Sequence, residues 1–325
     1  MNLLDPLIAS LMSPMVLAFV LGIVASLLRS DLRIPPEAYA MMTVYLLFAI
    51  GLKGGAKLEG VAFADFWKPL LAALFLSLAI PLWSYGILRS FGKLDKVNSA
   101  AVAAHYGSVS AVTFGEALVF LSIVGITAEP YMAALLAVME VPAIILAIFL
   151  VGKAGLQARG AGAMGKVVRE LLTSKSIVLL VGGMAIGLLA GKKGAEQIAP
   201  LFDEPFRGVL TLFLLEIGLV TGRCLGDLKK TGWRLIVFAT AMPLLHGVFG
   251  VWLGNLCGMS VGGATVLGTL AASASYIAAP AAVRVALPDA SPAIYLTASL
   301  ALTFPFNVII GIPTFYAFAG YLGGT

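Results

Sequence analysis

Long apolar runs separated by short polar joints occupy the chain from end to end. They fall near residues 11–29, 37–57, 66–90, 97–125, 130–152, 173–191, 206–224, 232–257, 261–287 and 291–321. A helix needs about 20 apolar residues to cross a hydrocarbon core, so the pattern predicts ten transmembrane helices. The pattern is also written twice. Ala49-Ile50-Gly51-Leu52-Lys53-Gly54-Gly55 returns as Glu216-Ile217-Gly218-Leu219-Val220-Thr221-Gly222. Three more landmarks recur in order: Ile80-Pro81-Leu82 as Met242-Pro243-Leu244, Ser108-Val109-Ser110 as Ser273-Ala274-Ser275, and Val141-Pro142 as Phe304-Pro305. The copies are offset by 162 to 167 residues in a chain of 325, close to half its length. Five spans per copy is an odd number, which makes the second copy enter the membrane from the opposite side. The expected fold is an all-α polytopic membrane protein with ten helices in a 5+5 inverted repeat. Residues 1–152 form the first repeat, 153–172 a cytoplasmic linker and 173–325 the second repeat.

Composition agrees with a lipid solvent. At 60% hydrophobic and 11% charged residues, with mean hydropathy +1.02, there is too little charge to cover a water-soluble surface. Residues Met1 to Ser10 carry Asp5 and no Lys or Arg, so a cleavable signal peptide is not expected and the first apolar run should be retained. The net charge of +5 is a matter of orientation rather than of nucleic-acid binding, because the basic residues lie in the joints. Fifteen of the 21 lysines and arginines fall after spans one, three, five, seven and nine. The opposite side holds Lys53, Lys57, Lys68, Lys192, Lys193 and Arg207. The positive-inside rule then places both termini outside and the joint at 153–175 in the cytoplasm. Gly152 to Gly162 reads as a flexible tether, with docking of a cytosolic regulator or anionic lipid as the alternative. Cys224 and Cys257 stand alone, without metal-ligand spacing.

Candidate chemistry sits where spans are internally polar. Span four contains His105-Tyr106-Gly107-Ser108-Val109-Ser110-Ala111-Val112-Thr113-Phe114, and span nine contains Ala271-Ala272-Ser273-Ala274-Ser275-Tyr276-Ile277-Ala278-Ala279-Pro280. Gly107, the paired serines and Pro280 predict that both helices break near mid-membrane. Two half-helix N-termini facing one another would offer amide donors and partial positive charge to an anion. Gly107, Ser108, Ser110, Ser273, Ser275 and Tyr276 are the candidate substrate residues; close packing of small residues is the competing reading. Glu140 is a carboxylate at membrane depth, and its repeat equivalent is Thr303, followed by Asn307. With Thr113 they form a candidate set of hard oxygen ligands for sodium. Glu116 and Glu216 are alternative cation ligands or packing acids. His105 and His246 are single and read as hydrogen-bonded interior residues. No nucleophile, base and orienter set is visible, so an enzyme is not expected, nor is an organic cofactor.

Ser273-Ala274-Ser275-Tyr276-Ile277-Ala278-Ala279-Pro280, followed by Arg284, Pro288 and Ser291-Pro292-Ala293-Ile294-Tyr295, resembles the end of the SbtA-type sodium-dependent bicarbonate transporters of cyanobacteria. Gly107-Ser108-Val109-Ser110 and Glu140-Val141-Pro142-Ala143 are similar to that family's first-repeat motifs. Tyr276 and Glu140 each stand where the family has Asp, Ala278 stands where it has Ser, and the linker is much shorter. The resemblance implies a multi-pass protein of a bacterial inner membrane in which a core domain moves against a gate domain. It also implies a homotrimer, sodium-coupled bicarbonate uptake and a PII-like cytosolic partner. A carrier of another small organic anion and a passive anion channel remain open alternatives at this stage.

Overall fold

The computed structural model describes residues 8, 11–151, 163–225 and 232–323. Among these residues the protein is all helical, with no strand. In chain order the helices are α1 (Pro14–Leu27), α2 (Pro36–Lys57), α3 (Phe63–Ser90), α4 (Lys96–Gly107), α5 (Ala111–Ile123), α6 (Met132–Met139) and α7 (Pro142–Leu150). The second half holds α8 (Ala163–Leu172), α9 (Lys175–Phe202), α10 (Phe206–Leu225), α11 (Trp233–Leu256), α12 (Val261–Ala272), α13 (Ala278–Ala286) and α14 (Pro292–Gly323).

Start signals in the sequence account for many boundaries. Ser13, Asp95, Ser174 and Ser260 each accept an amide of their own helix's first turn, and Pro14, Pro36 and Pro292 occupy early helical positions where a missing N–H costs nothing. Seven helical stretches are long and apolar enough to cross a membrane: 36–57, 63–90, 96–123, 132–150, 175–202, 233–256 and 292–323. Pro14–Leu27 and Val261–Ala272 are shorter apolar helices. Outward-facing Val178, Val181, Ile186, Leu188 and Leu189 on α9 are exposed, which suits a lipid neighbour rather than water.

Two departures from the expected spans have local causes. Span six was expected to end at 191, where Lys192 and Lys193 begin; instead Gly191 takes φ +63° and turns the chain, and helix continues to Phe202. Glu59 accepts the Lys192 amide at 2.9 Å and so caps the continuation. Part of the expected linker, Ala163–Leu172, is helical, and its Leu171 packs with Ile144, Ile148, Ala279 and Ala282. The Gly-rich tether at 152–162 lies outside the described residues.

The helices pack in two groups. In one, α1 lies along α10 and α2 along α9, so the first run of each half pairs with the second run of the other. Glycine sets the closeness of both pairs. A Cβ on Gly218 would stand 2.1 Å from the Phe19 carbonyl oxygen and 3.0 Å from the Gly22 Cα; one on Gly51 would stand 2.5 Å from the Leu180 oxygen and 3.1 Å from the Gly183 Cα. In the other group α3 packs on α4 and α11 on α12, while α5 touches α12 and α13 touches α4. Trp83 on α3 donates to His246 Nε2 on α11 at 2.7 Å, joining the middle of this group. Gly107 lies against Pro81 and Ala143, where an added Cβ would come within 2.6 Å of each.

Candidate functional site

The two interruptions meet inside the second group. Helix α4 ends at Gly107, residues 108–110 are extended, and α5 begins at Ala111. Helix α12 ends at Ala272, and α13 begins at Ala278 after its own non-helical stretch. The Ser110 hydroxyl accepts the Thr113 amide at 3.2 Å and the Ser275 hydroxyl accepts the Ala279 amide at 3.2 Å, so each of these serines caps the half-helix that follows it. The interruptions are tied to each other across the chain. The Ser110 amide donates to the Ser273 hydroxyl at 3.0 Å, and the Ser275 amide donates to the His105 carbonyl at 2.8 Å. Gly107, Ser108, Ser110, Ser273, Ser275 and Tyr276 are all buried at these two linked interruptions. The Tyr276 hydroxyl is buried without a hydrogen bond.

Their hydroxyls are not equivalent. Ser108 donates to the Glu140 carbonyl and Ser273 to the Leu270 carbonyl, both at 2.8 Å, so these two protons are already used. Ser110 and Ser275 accept backbone amides and keep their protons for another acceptor. First-turn amides such as those of Ala111 and Val112 have no intrahelical carbonyl to bind. The available donors thus lie at the starts of α5 and α13.

The candidate sodium ligands divide. Glu140 stands at the joint between α6 and α7, with its carbonyl on Ser108 and its side chain toward Ser176. Thr303 donates to the Ala239 carbonyl at 2.7 Å and shares a 2.5 Å bond with the Tyr106 hydroxyl. The Asn307 amide group donates to the Ala272 carbonyl at 2.8 Å, satisfying a carbonyl freed where α12 stops, while its side-chain oxygen is buried without a hydrogen bond. Thr113 sits in the first turn of α5. No hydrogen bond joins Glu140 to Thr113, Thr303 or Asn307 among the described residues. Glu116, on α5, lines a small void with Ser13 and with Val308 and Ile312 of α14, and one of its carboxyl oxygens is buried without a hydrogen bond. His105 stacks on Tyr295 and bonds the Ala101 carbonyl through Nδ1, an interior role like that of His246.

Sequence reasoning missed two features. The run 132–150 is itself interrupted at Glu140-Val141, and α14 contains π-helical turns at Thr297–Thr303 and Asn307–Gly311. The signal was present in the repeated prolines, Pro142 and Pro305. The second feature is the wall opposite the half-helix starts. Thr43, Leu46, Leu47 and Ile50 of α2 and Phe213 of α10 face Ala111, Val112 and Ile277 around a void of about 10 Å³. These residues resemble any lipid-facing side chains, and nothing in their local sequence distinguishes them.

Cavities flank this seam. One, of about 280 Å³, reaches Ile50 and Phe114 and is lined by Lys53, Lys57, Arg207, Asp203 and Glu129. Lys53 pairs with Asp203, and Glu129 accepts the Ser260 amide. The other, of about 860 Å³, is lined by Arg29, Arg33, Arg223, Glu216 and Tyr39, and Tyr39 stacks on Phe213 with ring centroids 5.1 Å apart.

Long apolar helices interrupted at buried, mutually bonded polar turns mark a polytopic membrane protein. The sequence model of the Na+-dependent bicarbonate transporter superfamily matches residues 14–320, nearly the whole chain, and the protein belongs to that superfamily. No curated protein matches the chain.

Proposed function

We propose that this protein is a sodium:bicarbonate symporter that imports bicarbonate by alternating access. The observation that carries this reading is the meeting of two interrupted helices whose following halves, α5 and α13, each begin with a serine cap that retains its proton. An anion of a few heavy atoms placed there would receive amides, two hydroxyls and the positive ends of two helix dipoles. Tyr276 offers a further hydroxyl. The void of about 10 Å³ at this seam is too small for bicarbonate, so binding requires α2 and α10 to part from the starts of α5 and α13.

Sodium is assigned the oxygens of Glu140, Thr113, Thr303 and Asn307, of which the unbonded Asn307 side-chain oxygen is the best prepared. Placed near the anion, the ion would strengthen anion binding and be strengthened by it to the same extent. Family membership supports the sodium requirement and the substrate class. The reciprocal pairing of α1 with α10 and α2 with α9 supports ten spans in an inverted 5+5 repeat, with these four helices as the gate and the rest as the moving core. The asymmetry of basic residues supports termini outside a bacterial inner membrane, and the resemblance supports a trimer with a PII-like partner.

The test is uptake of radiolabelled bicarbonate into proteoliposomes with and without an inward sodium gradient. Saturable, sodium-driven accumulation is expected. Flux that neither saturates nor needs sodium would replace the symporter with a passive channel, and sodium-driven uptake of a small carboxylate in place of bicarbonate would keep the mechanism and change the substrate.

A further inference from the structure

We infer that the cavity lined by Arg29, Arg33 and Arg223 is a binding site for a phosphate group carried by a larger molecule. Its volume, about 860 Å³, suits a ligand of tens of atoms rather than the four heavy atoms of bicarbonate. Three exposed arginines line it, and the ion pair seen among the described residues is elsewhere, between Lys53 and Asp203. The acid in its wall is Glu216, which lies near Arg223 and faces the Ile34 amide. Ser26 and Ser30 add hydroxyls at the same rim. Arginine's planar fork matches phosphate oxygens two at a time, a match that a lysine cluster lacks.

Backbone geometry fixes where Arg29 leaves α1. At the end of α1 the Ser30 amide reaches back to the Ala25 carbonyl at 2.9 Å, a helix stop in which the residue before Ser30 is normally glycine. That residue is Arg29, held at φ +57° in the left-handed region. Lys93, just past the end of α3, takes the same φ of +57°, so this conformation sets where the Arg29 side chain leaves the helix and is not itself the mark of a ligand. Tyr39 lines the cavity and stacks on Phe213 at the seam, so a bound phosphate ligand would also bear on the opening of the helices; that consequence rests on the transport reading, whereas the binding does not.

The ligand's phosphate can come from an anionic lipid headgroup or from a soluble molecule, and the experiment separates them. Full-length protein is placed in phosphatidylcholine nanodiscs and melted under three conditions: with phosphatidylglycerol in the disc, with sodium pyrophosphate in solution, and with sodium chloride at matched ionic strength. At least one phosphate condition is expected to raise the melting temperature by a few degrees over chloride. The triple variant Arg29→Gln, Arg33→Gln, Arg223→Gln is expected to lose that rise, and a control triple, Lys93→Gln, Lys96→Gln, Arg234→Gln, to keep it. Whichever phosphate condition works names the source. Arg29→Gly guards against misfolding, since glycine suits the backbone there; it should melt normally in chloride and lose part of the phosphate rise. No rise under either phosphate condition overturns the proposal, as does a rise that survives the arginine triple or the Arg29→Gly change. Failure of bicarbonate transport leaves this outcome unaffected.

Discussion

At the scale of single residues, the four serines that look alike in sequence divide into two roles. Ser110 and Ser275 cap the half-helices, and each cap is worth about 1 kcal/mol. Ser110→Ala and Ser275→Ala should therefore lower stability by about that much and also weaken anion binding, since the hydroxyl proton is lost along with the cap, by about 1 to 3 kcal/mol for a charge-assisted bond. Ser108→Ala and Ser273→Ala remove hydroxyls already bonded to carbonyls, and their loss should fall on stability with bicarbonate affinity changed less. Paired calorimetric melting and sodium-dependent bicarbonate titration of the four variants checks the division; equal loss of affinity in all four would restore the simpler picture of four equivalent ligands. Sequence placed these residues together because Ser-x-Ser recurs at equivalent positions. It could not divide them, because which carbonyl each hydroxyl meets depends on neighbours such as Glu140, which is 32 residues away from Ser108 along the chain. Glu140 itself is the residue whose assigned role is most exposed to test. Glu140→Gln keeps its carbonyl bond to Ser108, so the protein should fold while its sodium requirement rises severalfold or uptake fails; an unchanged sodium dependence removes Glu140 from the cation site.

At the scale of helices, legibility followed length and periodicity. Runs such as 63–90 and 233–256 were plain because lipid demands about 20 apolar residues and continuous internal hydrogen bonding. The turn at Gly191 and the interruption at Glu140 were hidden because a glycine or proline within an apolar run fits either a straight or a bent helix. Gly51 and Gly218 were visible as repeat landmarks, but their purpose needed coordinates: each presses on the backbone of a helix from the other half. The offending atoms there are carbonyls, which cannot rotate aside. Gly51→Ala and Gly218→Ala should each cost about 1 to 3 kcal/mol by overpacking. Gly86→Ala, at an exposed helical position with nothing within 4 Å of the added carbon, should cost nothing and can stabilise by up to about 1 kcal/mol. Thermal unfolding in one detergent compares the three, and a Gly218→Ala protein as stable as the parent would mean that α1 and α10 have room to separate.

At the scale of the whole molecule, the two cavities lie on either side of a seam too tight for an anion, and both are bordered by basic residues. Alternating access predicts that they open in turn. On the orientation proposed from the basic residues, the cavity bordered by Lys53 opens outward and the one bordered by Tyr39 opens to the cytoplasm, so single cysteines at these positions, in a background with Cys224 and Cys257 replaced, report each mouth separately. With an impermeant thiol reagent applied to intact cells, Lys53→Cys should react and Tyr39→Cys should not; a cysteine introduced at Gln157 should also stay unlabelled. In inside-out vesicles the pattern should reverse. Sodium and bicarbonate together should then move the two labelling rates in opposite directions, because one rigid-body displacement of the core closes one mouth as it opens the other. Either ion alone should do less, since coupling by linkage requires each to favour the state the other binds. If both rates rise together, the seam opens as a continuous pore and the protein conducts as a channel. If Gln157→Cys reacts from outside, the orientation drawn from the basic residues is inverted while the two-mouth mechanism stands.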